Sequence, residues 1–301
     1  MEIEINDISP TPSLWNNFYM NLSHINLVKK SLLICLFVVE LMPGITWSET
    51  VAHWRFDEDG FPSGTSAPAM VDSFKDSSGK GNSMRRVEVP QPNQYSSDVP
   101  SPQVSALGKT NELSLHFPVK GEWRDIFTEP TRGINSVEFP EMTIEGAFKC
   151  ESAGTFGAMV CKEGQSNPSS PFPPIQVVFA RKDPDPKNLG EHLLVQWTDG
   201  SGKERMLKSL SPLSLNKWYA FAVVMTKDSA SMYLQSERDK EYQLEQAVPI
   251  EGGAMTQSMG SWVLGRGFWN GKIDNPYCGW LDEIRVSNDA LPKEKFLFSK
   301  P

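Results

Sequence analysis

The sequence predicts an all-β fold, a sandwich of two antiparallel sheets, and three observations point to it. Apolar residues recur at period 2 in the short segments Leu113-Leu115-Phe117, Ile175-Val177-Phe179, Leu193-Val195-Trp197 and Tyr219-Phe221-Val223-Met225, which is the alternation of half-buried strands. Turn clusters separate them, and Asp199-Gly200-Ser201-Gly202 between Trp197 and Arg205 marks a hairpin, because glycine supplies the positive φ of a tight turn. Helical periodicity is confined to 292–298, which predicts one short C-terminal helix.

Taken in chain order, residues 1–48 read as an N-terminal extension and signal peptide. Lys29-Lys30 precede an apolar run broken by Glu40 and by Pro43-Gly44, and Thr46 and Ser48 are the small residues of a cleavage site after Ser48. Met20 as the true start gives a leader of ordinary length. A membrane anchor would need about 20 consecutive apolar residues, so no stable span is expected after cleavage. Residues 49–301 are long enough for one sandwich domain. The Pro-, Ser- and Gln-rich stretch 87–104 and the Pro-rich stretch 164–174 read as long surface loops, and there is no internal repeat.

Bulk charge narrows the partners. The chain carries a net charge of -8, and no basic patch interleaved with aromatics gives a nucleic-acid partner an electrostatic footprint. There is no Gly-x-Ser-x-Gly elbow, no Gly-rich phosphate loop and no His-Glu-x-x-His, and His53, His116 and His192 are scattered, which argues against zinc. Beyond the signal, Cys150, Cys161 and Cys278 form an odd set. Cys150 and Cys161 flank a Gly-containing loop between two predicted strands, so either a cross-hairpin disulfide or three buried thiols is open, and an exposed Cys278 would link two chains.

The closing run Gly279-Trp280-Leu281-Asp282-Glu283-Ile284-Arg285-Val286 followed by Ala290-Leu291 resembles the last strand of laminin-G-like jelly rolls of the concanavalin A-like superfamily. Val51-Ala52-His53-Trp54-Arg55-Phe56-Asp57-Glu58 is similar to the first strand of that family, Lys75 to Asn82 to its Asp-Ser-Ser-Gly turn, and Met142 to Lys149 and Asn216 to Val223 to two internal strands. The likeness spans residues 51–298. Two positions depart from the pattern: Ala147 stands where a tryptophan is usual, and Gln235-Ser236 where an Asp-Gly turn is usual. The resemblance implies a concanavalin A-like jelly-roll sandwich, a fold shared by lectins, adhesion modules and glycoside hydrolases. Strict alternation would send Leu281, Glu283 and Arg285 to one face of the last strand and Asp282, Ile284 and Val286 to the other.

Three candidate sites follow. The loop from Arg266 to Tyr277 offers Trp269 as a stacking platform and Asn270, Asp274, Asn275 and Tyr277 as polar partners, a composition suited to a glycan, while Phe268 and Trp269 would alternatively plug the end of the sandwich. The resemblance places the first and last strands side by side, bringing Asp57, Asp76 and Asp282 together as ligands for one structural calcium, with Arg55 and Arg285 as the metal-free alternative. Glu237, Asp239 and Glu241 repeat the Glu-x-Asp-x-Glu of laminarinase-type hydrolases, where strand spacing puts two carboxyls roughly 5–5.5 Å apart. Against this, Arg238 and Lys240 occupy positions that a core strand would make apolar, and a charge run reads as a solvated turn. The sequence therefore points to an exported, non-catalytic binding module for a glycan or an extracellular protein, with a glycoside hydrolase or a purely structural adhesion protein as the alternatives.

Overall fold

The computed structural model describes residues 49–118, 126–151, 156–165, 170–180, 191–255 and 257–300, so the expected export signal at 1–48 lies outside the described residues. Along the chain the strands are β1 (Thr50–Trp54), β2 (Met84–Arg86), β3 (Gln94–Ser96), β4 (Gln103–Val104), β5 (Lys109–Thr110), β6 (Ser114–Phe117), β7 (Ile126–Thr128), β8 (Met142–Cys150), β9 (Phe156–Lys162), β10 (Ile175–Ala180), β11 (His192–Thr198), β12 (Glu204–Lys208), β13 (Trp218–Met225), β14 (Ser229–Ser236), β15 (Gln243–Pro249), β16 (Trp262–Leu264), β17 (Gly267–Trp269), β18 (Lys272–Asp274) and β19 (Gly279–Ser287). The first sheet runs β15-β14-β13-β8-β19-β6-β3, with β1 also paired to β19, and the second runs β12-β11-β10-β9-β16-β7-β2. All these pairings are antiparallel. The expected jelly-roll sandwich is therefore present. Among the described residues no helix is long and apolar enough to cross a membrane.

The period-2 pattern decides what the two sheets share. Ile144, Phe148, Phe221 and Val223 of the first sheet meet Val177, Phe179, Val195 and Trp197 of the second in one buried core. The rings of Phe148 and Phe179 cross it edge to face, with centroids 6.2 Å apart. The expected hairpin forms between β11 and β12, where Asp199 Oδ1 accepts the backbone N–H of Ser201 and of Lys203 while Oδ2 accepts from Arg205.

Four expectations change. Alternation along β19 breaks at a bulge: Glu283 takes φ 52 and the pairing with β8 shifts between Asp282 and Arg285. Leu281, Ile284 and Val286 consequently all reach the core, because the extra residue resets the face. Gly146 opposite makes room, since a Cβ there would lie 2.5 Å from Ile284 Cδ1. The C-terminal helix shrinks to a 3-10 turn, Lys293–Lys295, because Leu291, Phe296, Leu297 and Phe298 all pack on the outer face of the first sheet over Ala147, Trp218, Ala220 and Ala222. Ala147, small where a tryptophan is usual, lies fully buried beneath this segment. The stretch 87–104 contributes β3 and β4 and is not all loop. Finally, of the two readings open for the cysteines the structure shows three buried thiols, with Cys150 in the core between the sheets and Cys161 outside that core, and Cys278 is not available at the surface.

One buried acid near β1 is expected to give the fold a pH-dependent stability. Asp59 accepts the Lys75 N–H at 2.7 Å and the Tyr95 hydroxyl at 2.8 Å, and burial outweighs both, pushing its carboxyl up to about 6. With the folded value above the unfolded one, its contribution to stability is complete below about pH 4 and is lost as pH rises through about 6. Asp59→Asn keeps the shape and removes the charge. It is expected to stabilise the domain by about 1–3 kcal/mol at pH 7 and to flatten urea-unfolding stability between about pH 4 and 6.

Candidate functional site

The loop 266–277 folds as a hairpin laid on the outer face of the second sheet. Asn270 and Gly271 take φ 48 and 75 at its turn, the two positive values of a type I′ connection, so Asn-Gly joins β17 to β18. The hairpin is seated by polar groups from the sheet. Phe268 N–H donates to Gln176 Oε1 at 3.2 Å, and Ala158 N–H donates to the Asn275 carbonyl at 2.8 Å. A Cβ at Gly267 would lie 2.5 Å from that Gln176 oxygen, so glycine permits the close approach.

Beneath the hairpin lies a cavity of about 250 Å³ lined by Phe156, Gln196, Trp269, Asp274 and Asn275. Trp269 is 37% exposed, and its indole leans on Phe172 with centroids 5.4 Å apart. The neighbouring outer-face positions of the sheet are small and apolar: Ala158, Val178, Ala180 and Leu194 cluster with Phe156. Gln176 Nε2 donates to Gln196 Oε1 at 2.9 Å, which fixes the Gln196 amide at the cavity. Asp274 Oδ1 accepts the Asn275 N–H at 2.8 Å, orienting the carboxylate. An aromatic wall facing fixed amide and carboxylate groups can stack on the C–H face of a sugar and pair with its hydroxyls.

Three of the five expected ligand residues, Trp269, Asp274 and Asn275, thus come together. Asn270 instead holds the turn, exposed, its N–H donating to the Pro171 carbonyl. Tyr277 is a core residue, 1% exposed, with its ring edge-on to Phe117 and its hydroxyl donating to the Trp280 carbonyl. Gln196 and Phe156 are not among the five expected ligand residues. Their signal was present in the alternation, since Gln196 sits between the core residues Val195 and Trp197 and must face outward.

The expected carboxylate cluster resolves into separate roles. β1 does lie beside β19, with Trp54 opposite Ile284. Asp76, however, spends Oδ1 on the N–H groups of His53 and Ser78 and Oδ2 on that of Asn82, while Asp57 Oδ1 accepts from Glu112 and Leu113. Asp282 Oδ2 accepts from Asn111 at 2.9 Å, and burial, with the adjacent Glu283 charge, pushes its carboxyl well above the usual range. Among the described residues no group of three or more His, Cys, Asp or Glu is placed to hold a metal. Backbone donors occupy both oxygens of Asp76 and Oδ1 of Asp57, whose Oδ2 pairs with Arg55, whereas Asp282 takes the Asn111 side chain on Oδ2 and leaves Oδ1 without a partner, so the three do not present one shared set of open oxygens to a calcium ion. The positive charge between carboxylates is Arg55. Its Nε donates to Glu283 Oε1 at 2.8 Å, and its terminal nitrogens reach Asp57 and Glu58. His53 Nε2 lies 2.7 Å from the other Glu283 oxygen. Burial works against Glu58, yet hydrogen bonds from Ser77 and Lys109 and the charges of Lys109 and Arg55 hold its carboxyl down at about 2.

Glu237, Asp239 and Glu241 lie in the turn between β14 and β15 and not on a strand. Glu237 Oε1 accepts the Trp218 N–H, Asp239 Oδ2 accepts the N–H and hydroxyl of Ser236, and Glu241 pairs with Lys293. Strand spacing therefore does not set their separation.

Comparison with known proteins locates the fold. A family model described as the concanavalin A-like lectin/glucanases superfamily matches residues 134–295. Domain 4 of AbnA, a GH43 extracellular arabinanase from Geobacillus stearothermophilus, in complex with arabinotriose, superposes with TM-score 0.51 at 14% identity, covering 82% of this chain and 96% of that one. An arabinofuranosidase complexed with arabinofuranosyl-alpha-1,2-xylobiose gives 0.49 at 11%, over 83% and 57%. The Ruminococcus gnavus IT-sialidase CBM40 gives 0.41 at 12%, over 56% and 86%. No curated protein sequence matches the chain.

Proposed function

Because the chain belongs to the concanavalin A-like lectin/glucanases superfamily, we propose that it is an exported, non-catalytic carbohydrate-binding module whose ligand seat is the cleft under Trp269. The observation that carries this reading is the joint presence of a partly exposed indole, a fixed amide and an oriented carboxylate around one cavity of about 250 Å³, room for about one sugar ring. The arabinotriose held by domain 4 of AbnA supports the choice of probes. Export rests on the features of residues 1–48, and an intact mass beginning at Glu49 in material recovered from its native host checks that half.

The test is a polysaccharide retention screen with arabinan, xylan and laminarin, with and without chelator, recording bound protein and released reducing sugar. Retention without release is the expected result. Release of sugar would overturn the non-catalytic reading, and retention lost on chelation would return a cation to the site. Trp269→Ala is expected to lower affinity about 10- to 100-fold, the usual cost of losing a central tryptophan contact, while the unfolding midpoint stays near wild type because the side chain is partly exposed. A variant that keeps full affinity would move the ligand elsewhere.

A further inference from the structure

The Glu237–Asp239 turn borders a groove that the cleft under Trp269 does not use. A cavity of about 380 Å³ opens beside it, walled by Lys217, Tyr219, Glu237, Arg238, Asp239 and Glu245. A second, of about 170 Å³, adjoins it, sharing Trp218, Tyr219, Ser236, Glu237 and Asp239 and adding Gln235, Ser101 and Ser105. Both lie at the same end of the β13–β14 pair of the first sheet, the larger on its core-facing side with Tyr219 and Leu234 and the smaller on its outer side with Trp218 and Ala220, and they meet at the Ser236–Asp239 turn, whereas the hairpin cleft lies on the second sheet.

We infer that this groove is a second saccharide-binding site, so that one domain can hold two glycan segments. Gln235 supplies the sharpest indication. It is 8% exposed, it lines the smaller cavity, and its Oε1 has no hydrogen-bond partner, while its Nε2 reaches the Asp239 carbonyl at 3.4 Å. A buried carbonyl oxygen without a donor costs free energy that a ligand hydroxyl would recover.

Glu237 and Asp239, which line both cavities, and Glu245, which lines the larger, are pre-positioned acceptors. Glu245 Oε2 takes the N–H groups of Leu210 and Ser211, both at 2.8 Å, Asp239 Oδ2 takes Ser236, and Glu237 Oε1 takes Trp218, each leaving its second oxygen without a protein partner among the described residues. Lys217 and Arg238, which make no ion pair among the described residues, supply donors on the same wall. Acceptors and donors interleaved around Glu237 and Asp239, with the Tyr219 ring on the core-facing side and the buried Trp218 ring on the outer side, suit a neutral polyhydroxylated chain, whose every hydroxyl both gives and accepts a hydrogen bond. Three carboxylates against two cations disfavour an anionic ligand. Two sites on different sheets would raise retention on a polymer well above the affinity of either, by effective concentration.

The inference extends the carbohydrate reading to a second face, and the two are scored separately by amide chemical shifts of the whole protein titrated with arabinotriose, xylotriose, maltotriose and laminaritriose. The amides of Ser211, Trp218 and Ser236 report the groove, and those of Phe268 and Asn275 report the hairpin cleft. Shifts at the groove amides with at least one trisaccharide are expected. Gln235→Leu should weaken that response about tenfold and leave the cleft response unchanged, and Arg238→Ala, an exposed change that does not threaten folding, about threefold. Movement of the cleft amides alone overturns the second site and leaves the proposed function standing. Movement of the groove amides alone upholds the second site and removes the first, and no movement with any of the four overturns both.

Discussion

Replacing Arg55 with Met is expected to destabilise the domain by about 3–5 kcal/mol, read from urea unfolding at pH 7, because it strips the partner from a carboxylate that has no access to water. Glu283 is fully buried, and Arg55, itself 3% exposed, supplies its 2.8 Å hydrogen bond while also bridging to Asp57 and Glu58. Removing the cation leaves Glu283 with His53 and places it beside Asp282, whose carboxyl burial already pushes upward. The double variant R55M/E283Q should recover more than half of the loss, since the cost lies in the orphaned charge and not in the absent pair. A loss under 1 kcal/mol for R55M would show that water reaches the network.

Arg285→Met should cost a similar amount, about 3–5 kcal/mol, by a related route two residues further along β19. Glu145 is fully buried; its Oε1 accepts from Arg285 Nε at 2.8 Å, and its Oε2 accepts the Leu297 N–H at 2.7 Å. Arg285 also donates to the Lys295 carbonyl, so the pair pins the C-terminal segment over Ala147 and Trp218. Burial raises the Glu145 carboxyl and the Arg285 charge opposes that rise. An acid whose folded value lies above its unfolded one contributes stability that is present at low pH and lost as pH increases through the folded value. Without Arg285 that value climbs further, so the deficit of R285M should be larger at pH 8 than at pH 5. Limited proteolysis should release the segment after 290 in the variant before the rest of the domain is cut. An equal deficit at both pH values would mean that packing, and not charge, carries the effect.

Several strands of the sandwich are legible because their alternation is regular: β6, β10, β11 and β13 sit where period-2 apolar runs place them, β8 where the family resemblance places it, and Asp199 marks the turn that follows β11. The elements that escaped are those whose local signal is weak. The three-residue strand β3 is flanked by Pro90, Pro92 and Pro100 in a stretch with loop composition, and it exists because β6 offers an edge on which Gln94 to Ser96 can pair. Tyr277 belongs to a loop whose mix of aromatics, amides and carboxylates suits a sugar, yet its ring turns inward against Phe117. Trp269 behaves in the opposite way: the Asn-Gly turn lifts it out of the sheet and leaves it partly exposed.

The sequence by itself determined the sandwich and the stretch 266–277 that carries the cleft, because periodicity, turn chemistry and side-chain type act over a few residues, while the pairing of the first strand with the last came only from the family resemblance of their motifs. Only the tertiary structure decided the rest. It placed a bulge at Glu283, so that Leu281, Ile284 and Val286 share the core. It placed backbone donors on Asp76 and on Oδ1 of Asp57, put Arg55 between carboxylates, and set Cys150 and Cys161 on different sheets. It also brought Gln196, far along the chain, beneath Trp269. Each of these depends on partners distant in sequence, and no local pattern specifies which distant donor will reach a buried acceptor first.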